Sequence, residues 1–72
     1  MLGSNCVTIL VNGQPRQVAD GATVAQLIAD LKLDDRPLAV EVNLELVPRS
    51  GHAEYRLAEG DRLEIVTLVG GG

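Results

Sequence analysis

The sequence predicts an α+β domain, a small mixed sheet of four or five strands with one main helix packed across one face. Three observations predict it. A compact β-branched run ends in Asn12-Gly13, an aliphatic stripe of helical period spans residues 24–31, and a second β-branched run leads straight into Gly70-Gly71-Gly72. Hairpin, helix, short hairpin and final strand in that order belong to the α+β class. Seventy-two residues make one domain, 1–72. A chain this short buries only about 60% of its unfolded surface, which leaves little room for a deep active site of its own.

Taken in order, residues 1–5 read as a disordered or cloning-derived start, with Gly3-Ser4 kept out of the fold. Val7-Thr8-Ile9-Leu10-Val11 follows as a strand, and Asn12-Gly13 supplies the two positive φ angles of a tight hairpin turn. The return strand is expected over 14–19, and Pro15, which has no N–H to donate, puts it at a sheet edge. Asp20-Gly21-Ala22 breaks the sheet. Thr23-Val24-Ala25-Gln26 has the form of a capping box, in which hydroxyl and carboxamide each satisfy a free backbone N–H. Val24, Leu27, Ile28 and Leu31 then recur at i, i+3, i+4 and i+7, one apolar stripe suited to covering a sheet. Lys32 favours the negative end of the helix dipole, and Asp34-Asp35-Arg36-Pro37 is expected to stop the helix. Residues 38–42 read as a strand, 43–45 as a turn and 46–48 as a short return, again an edge because of Pro48. The signal is weak over 49–58. Glu59-Gly60-Asp61 is a turn, and the last strand is expected over 62–69.

The alternation of that strand separates its two sides. Arg62 and Glu64 share a side with Val66 and Leu68, whereas Leu63 and Ile65 share the other. The charges mark the first side as outward, so Val66 and Leu68 are expected to be apolar and exposed just before the tail. Leu10 is expected to join them across the strand pair if Val7, Ile9 and Val11 face the helix. Such a patch reads equally as a docking surface or as a strand end covered by a loop. The three glycines bury no apolar area and lose the most backbone entropy on ordering, so 70–72 are expected to form a flexible, functional stalk that fits a narrow channel.

Composition removes several function classes. Tyr55 is the one aromatic residue and the net charge is −4, which argues against nucleic acid or an anionic membrane as partner. No apolar stretch approaches the roughly 20 residues of a membrane span, and the start lacks a signal peptide, so a cytoplasmic location is expected. Cys6 stands alone next to an apolar run and is expected to be a half-buried hydrophobe without a redox role. The adjacent Asp34 and Asp35 lack a third ligand and read as a solvated loop; no metal site is expected. His52 and Tyr55 have no Ser or Cys placed beside them by local spacing, so a catalytic His is not expected.

If the final strand lies beside the first, the sheet is mixed, the helix crosses one face, and the arrangement is the β-grasp of ubiquitin-like proteins. Within it, the sequence resembles the small sulfur carrier proteins, most closely the ThiS type of thiamine biosynthesis. The residues that carry the resemblance are Gly21-Ala22-Thr23-Val24, then Val40-Glu41-Val42-Asn43-Leu44-Glu45-Leu46-Val47-Pro48-Arg49, then Glu59 through Val66 and the closing Gly70-Gly71-Gly72. Two positions depart from the pattern. Leu44 follows the turn Asn where Gly or a polar residue is more usual, and Gly51-His52 replaces an acidic-aromatic pair.

The resemblance implies that the chemistry lies on the Gly72 carboxylate. An E1-like adenylyltransferase of the ThiF type activates it with ATP, and sulfur derived indirectly from a cysteine desulfurase then leaves a thiocarboxylate there. Thiazole synthase of the ThiG type, a (β/α)₈ barrel, receives the sulfur. Gly70 and Gly71 thread the stalk, while Val69, Leu68 and Val66 meet the partner. ATP and magnesium belong to the activating enzyme; the domain itself binds no cofactor, is no enzyme and is a monomer when free. A carrier for molybdenum cofactor or tRNA thiolation shares the tail chemistry, and a ubiquitin-like modifier joined to lysines through Gly72 shares the fold. Both remain open at this point.

Overall fold

The structure, a computed structural model, describes residues 5–68. Five strands, Cys6–Val11 (β1), Gln14–Ala19 (β2), Leu38–Val42 (β3), Glu45–Val47 (β4) and Arg62–Thr67 (β5), form one sheet, and the helix Val24–Asp30 (α1) packs on one face of it. The sheet order is β2-β1-β5-β3-β4. β1 and β5 run parallel at its centre, and the other neighbours are antiparallel. The two strands that carry or precede a proline, β2 and β4, are the edges, as the missing N–H requires.

The core is aliphatic. Ile9, Val18, Val40, Val42, Val47, Leu63 and Ile65 point from the strands to Val24, Leu27 and Ile28 of α1, with Leu57 filling the remaining side. Each such side chain contributes about 1.5–3 kcal/mol when removed from water. Val7 and Val11 are half-buried against the same cluster, so the alternation expected for β1 holds.

Local chemistry sets the connections. Asn12 (φ 52°) and Gly13 (φ 84°) make the two-residue turn between β1 and β2. At the start of α1, the Gln26 N–H donates to Thr23 Oγ1 at 3.2 Å and the Thr23 N–H donates to Gln26 Oε1 at 2.9 Å, completing the capping box. The helix ends at Asp30, before the stop expected at Asp34-Asp35-Arg36-Pro37. Lys32 is outside α1, in the left-handed region at φ 61°. Its N–H donates to the Ala29 carbonyl and the Leu33 N–H to the Ile28 carbonyl, both at 3.0 Å, which closes the last turn in the Schellman manner. Leu31 and Leu33 pack against the core from either side of this reversal, and that burial holds a lysine where glycine is usual.

The second hairpin is tighter than expected. Only Asn43 (φ 53°) and Leu44 (φ 71°) form its turn, Glu45 already belongs to β4, and Pro48 lies beyond the strand as the lead-in to a single 3₁₀ turn at Arg49–Gly51. β5 ends at Thr67, short of the expected 62–69, although the Leu68 N–H still donates to the Pro37 carbonyl at 2.9 Å. Val69 lies outside the described residues.

Candidate functional site

The central strand β5 carries the expected site toward the end of the chain. Its ladder with β1 covers only Leu10↔Arg62 and Val11↔Leu63, because β1 turns away at Asn12. The Asn12 side chain continues the pairing for one more step. Its Oδ1 accepts from the Ile65 N–H at 2.8 Å, and its Nδ2 donates to the Ile65 carbonyl at 3.2 Å. Beyond that point β5 is held by β3 alone, through Ala39↔Val66 and Leu38↔Thr67. The last described residues thus project past the turn of the first hairpin, anchored on one flank.

Strand alternation places the side chains as the sequence predicts. Leu63 and Ile65 are buried, whereas Val66 and Leu68 are 55% and 52% exposed on the side away from α1. Leu10 corrects one expectation. It is half-buried and stands beside Arg62, four residues before Val66 on a parallel register, so it does not join the patch at the end of β5. The apolar neighbours on that side come instead from β3, where Ala39 lies opposite Val66, and from β4, where Leu46 is 65% exposed opposite Glu41. Leu44 is 88% exposed and lines an open groove of about 310 Å³ with Glu41, Asn43, Arg62 and Glu64. Sequence reading recognised Leu44 as unusual but did not connect it to this face, since register alone shows which turn borders which strand. Gly70, Gly71 and Gly72, with Val69, lie outside the described residues.

Other singled-out residues have structural places. His52 is 8% exposed; its Nε2 is 3.1 Å from the Val47 carbonyl, and its own carbonyl accepts from the Ala25 N–H, so it joins the start of α1 to β4. Tyr55 is half-buried and its carbonyl accepts from the Val24 N–H. Arg49 Nη2 donates to the Asp34 carbonyl at 3.2 Å, tying the 3₁₀ turn to the loop before β3. Cys6 is exposed, contrary to the half-buried position expected, because no described residue covers the outward side of β1 at its first residue. Asp34 and Asp35 are exposed in the loop, and Asp35 meets Arg36 only at 4.0 Å, a surface pair of little energetic weight. Among the described residues no group of three His, Cys, Asp or Glu side chains could hold a metal ion, and no helix is long and apolar enough to cross a membrane.

A mixed five-stranded sheet gripping one helix, with its central strand running out beside an exposed apolar patch, defines a ubiquitin-like β-grasp protein. The family model of ThiS matches residues 9–72, and the chain belongs to the ThiS family, the sulfur carrier proteins of thiamine biosynthesis. It is 33% identical over 64 residues to the sulfur carrier protein ThiS of Escherichia coli, a match that covers 89% of this chain and 97% of that one. It is 44% identical over 64 residues to a thiazole synthase of Paramagnetospirillum magneticum, where the match covers 89% of this chain but spans only a fifth (20%) of that longer protein. Among solved structures, the thiamine biosynthesis protein ThiS of Geobacter metallireducens superposes with a TM-score of 0.77 at 30% identity, covering 92% of this chain and all (100%) of that one.

Proposed function

We propose that the protein carries sulfur for thiazole formation as a thiocarboxylate on Gly72. A carboxylate is a poor acyl donor, since its oxygen is a bad leaving group. In the proposed sequence a Gly72 oxygen attacks the α-phosphorus of ATP on an E1-like, ThiF-type adenylyltransferase, releasing pyrophosphate and giving an acyl-adenylate. A persulfide supplied through a cysteine desulfurase attacks the acyl carbon and AMP departs. A thiol then cleaves the resulting acyl disulfide, leaving the terminal sulfur on Gly72. Magnesium and ATP are held by the activating enzyme, and this chain contributes the reacting carboxylate and the surface that presents it. Thiazole synthase of the ThiG type takes the sulfur. The similarity to a stretch of longer proteins named thiazole synthase supports that link.

The observation that carries this reading is the continuity of the family match through Gly72, directly after a central strand whose exposed side is apolar. Val66 and Leu68, with Val69, form the docking patch at the root, and Gly70 and Gly71 form the thread. The test is mass spectrometry after incubation with ATP, the activating enzyme and a persulfide source. Conversion of the carboxylate to an acyl thioacid adds about 16 Da. No gain under these conditions would overturn the proposal. Gly71→Val is expected to abolish the gain while leaving the melting temperature of the domain unchanged, because a glycine contributes no side chain to the core.

A further inference from the structure

Of the six cationic side chains in this sequence five are arginine, and Lys32 is the one lysine. The difference is chemical. An arginine keeps its charge and offers no free nucleophile, whereas a lysine that sheds a proton is an amine able to attack an acyl group. Lys32 stands exposed in the left-handed reversal after α1, and among the described residues no carboxylate pairs with it. A short relay of backbone bonds sets its place in the fold. The Arg36 N–H donates to the Leu33 carbonyl at 3.1 Å, which folds the loop after Lys32 into a turn, and the Leu68 N–H donates to the Pro37 carbonyl at 2.9 Å. Lys32 is therefore at the end of the domain from which β5 leaves the sheet. The turn from Leu33 to Arg36 is less than about 7 Å across, and residues 69–72 span up to about 14 Å when extended, so Gly72 comes within reach of the lysine's four-carbon stem. The other cation of this loop, Arg36, has no free amine to compete.

We infer that Lys32 is an internal acyl acceptor that competes with sulfur for the activated Gly72. The inference rests on the sulfur-carrier reading, which supplies the acyl-adenylate. Lys32 Nζ, as the free amine, forms a bond to the Gly72 acyl carbon. The bond from that carbon to the AMP oxygen breaks, and AMP leaves with the electron pair. The proton left on nitrogen goes to solvent, and the product is an amide that closes the chain between residues 32 and 72. No oxidant or reductant takes part. The carboxylate before activation and the thiocarboxylate after sulfur transfer are both anions with poor leaving groups, so the amine attacks in one state only. That state is an adenylate released from the activating enzyme before sulfur arrives. Attack within the chain outpaces attack between copies, because a short tether presents the amine at an effective concentration of about millimolar. With arginine at the other five cationic positions, no second side-chain amine of this chain takes part.

Incubation of the full 72-residue chain with ATP and the activating enzyme, without a persulfide source, tests this by mass spectrometry. Closure removes the elements of water overall, so a product about 18 Da lighter than the parent is expected, stable to hydroxylamine as an amide is. Proteolysis should yield one branched peptide joining Lys32 to Gly72. Adding the persulfide source is expected to replace this product by the species about 16 Da heavier. Lys32→Arg keeps the charge and is expected to lose the lighter product entirely while still loading sulfur. Lys32→Arg/Arg56→Lys returns one lysine beside Thr23, at the opposite end of α1, and is also expected to give no lighter product. A lighter product from either variant, or a product at twice the mass of the chain, would overturn the inference. So would a parent chain that loads sulfur and gives no lighter product; each of these results leaves the carrier reading intact. Failure of the parent to load sulfur removes both.

Discussion

The two hairpin turns have the same backbone shape and different second residues. Asn12-Gly13 and Asn43-Leu44 both place two consecutive residues at positive φ. In both, the asparagine also reaches across to β5. Asn12 brackets the N–H and C=O of Ile65, while Asn43 Oδ1 accepts from the Arg62 N–H at 3.0 Å and its Nδ2 donates to Asp61 Oδ1 at 3.0 Å. The backbone N–H groups of Asn12 and Asn43 donate to Leu63 and Arg62 carbonyls as well. The central strand is therefore clamped from both sides by turns that are far apart in sequence. The second positions differ in kind. Gly13 meets the backbone requirement without strain, and a Cβ there would touch nothing. Leu44 holds the same region at a cost of roughly 1 kcal/mol and buries almost nothing in return. The first turn is explained by folding alone, whereas the second holds a strained leucine that makes no buried contact in the fold.

Four substitutions break or sharpen that comparison. Asn12→Ala has the largest expected effect. It strands a part-buried Ile65 N–H and its carbonyl, and should lower stability by about 2 kcal/mol, roughly 10 °C in melting temperature. Asn43→Ala removes bonds that are exposed, so urea titration should give about 1 kcal/mol; a loss larger than that of Asn12→Ala would show that the clamp works chiefly from the other side. Gly13→Leu copies the strain of the second turn into the first. With open space around the new Cβ, the loss should be about 1 kcal/mol, set by backbone conformation alone. Leu44→Gly is the smallest and has the opposite sign: relief of strain, less the entropy glycine adds to the unfolded chain, leaves a gain of about 0.5 kcal/mol. A destabilised Leu44→Gly in the free protein would mean that the leucine serves the fold, and the contrast between the turns would disappear.

Much of this architecture was legible in the sequence, because the signals were local. The Asn-Gly pair, the Thr23–Gln26 capping box and the two-residue alternation of β5 each involve residues within a few positions of one another, and all three have the predicted geometry. The failures share a different property. Lys32 in a left-handed helix stop depends on where Leu31 and Leu33 find the core, and Leu10 beside Arg62 depends on how far β1 slides along β5. Cys6 is exposed because no described residue packs over the outer side of the sheet there. None of these can be read from a neighbouring residue.

The candidate site divides in the same way. The sequence by itself determined the strand parity that exposes Val66 and Leu68, the glycine run that follows and the family motifs, since each is a matter of residue type at short spacing. Only the tertiary structure brought Glu41 against Glu64, set Leu44 and Leu46 on the face that leads to the tail, and used two distant asparagines to fix the strand beneath it. These are pairings between residues some 20 to 50 positions apart. Their register is chosen by how the whole sheet buries its aliphatic side against one helix, a choice that no single segment of the chain can make.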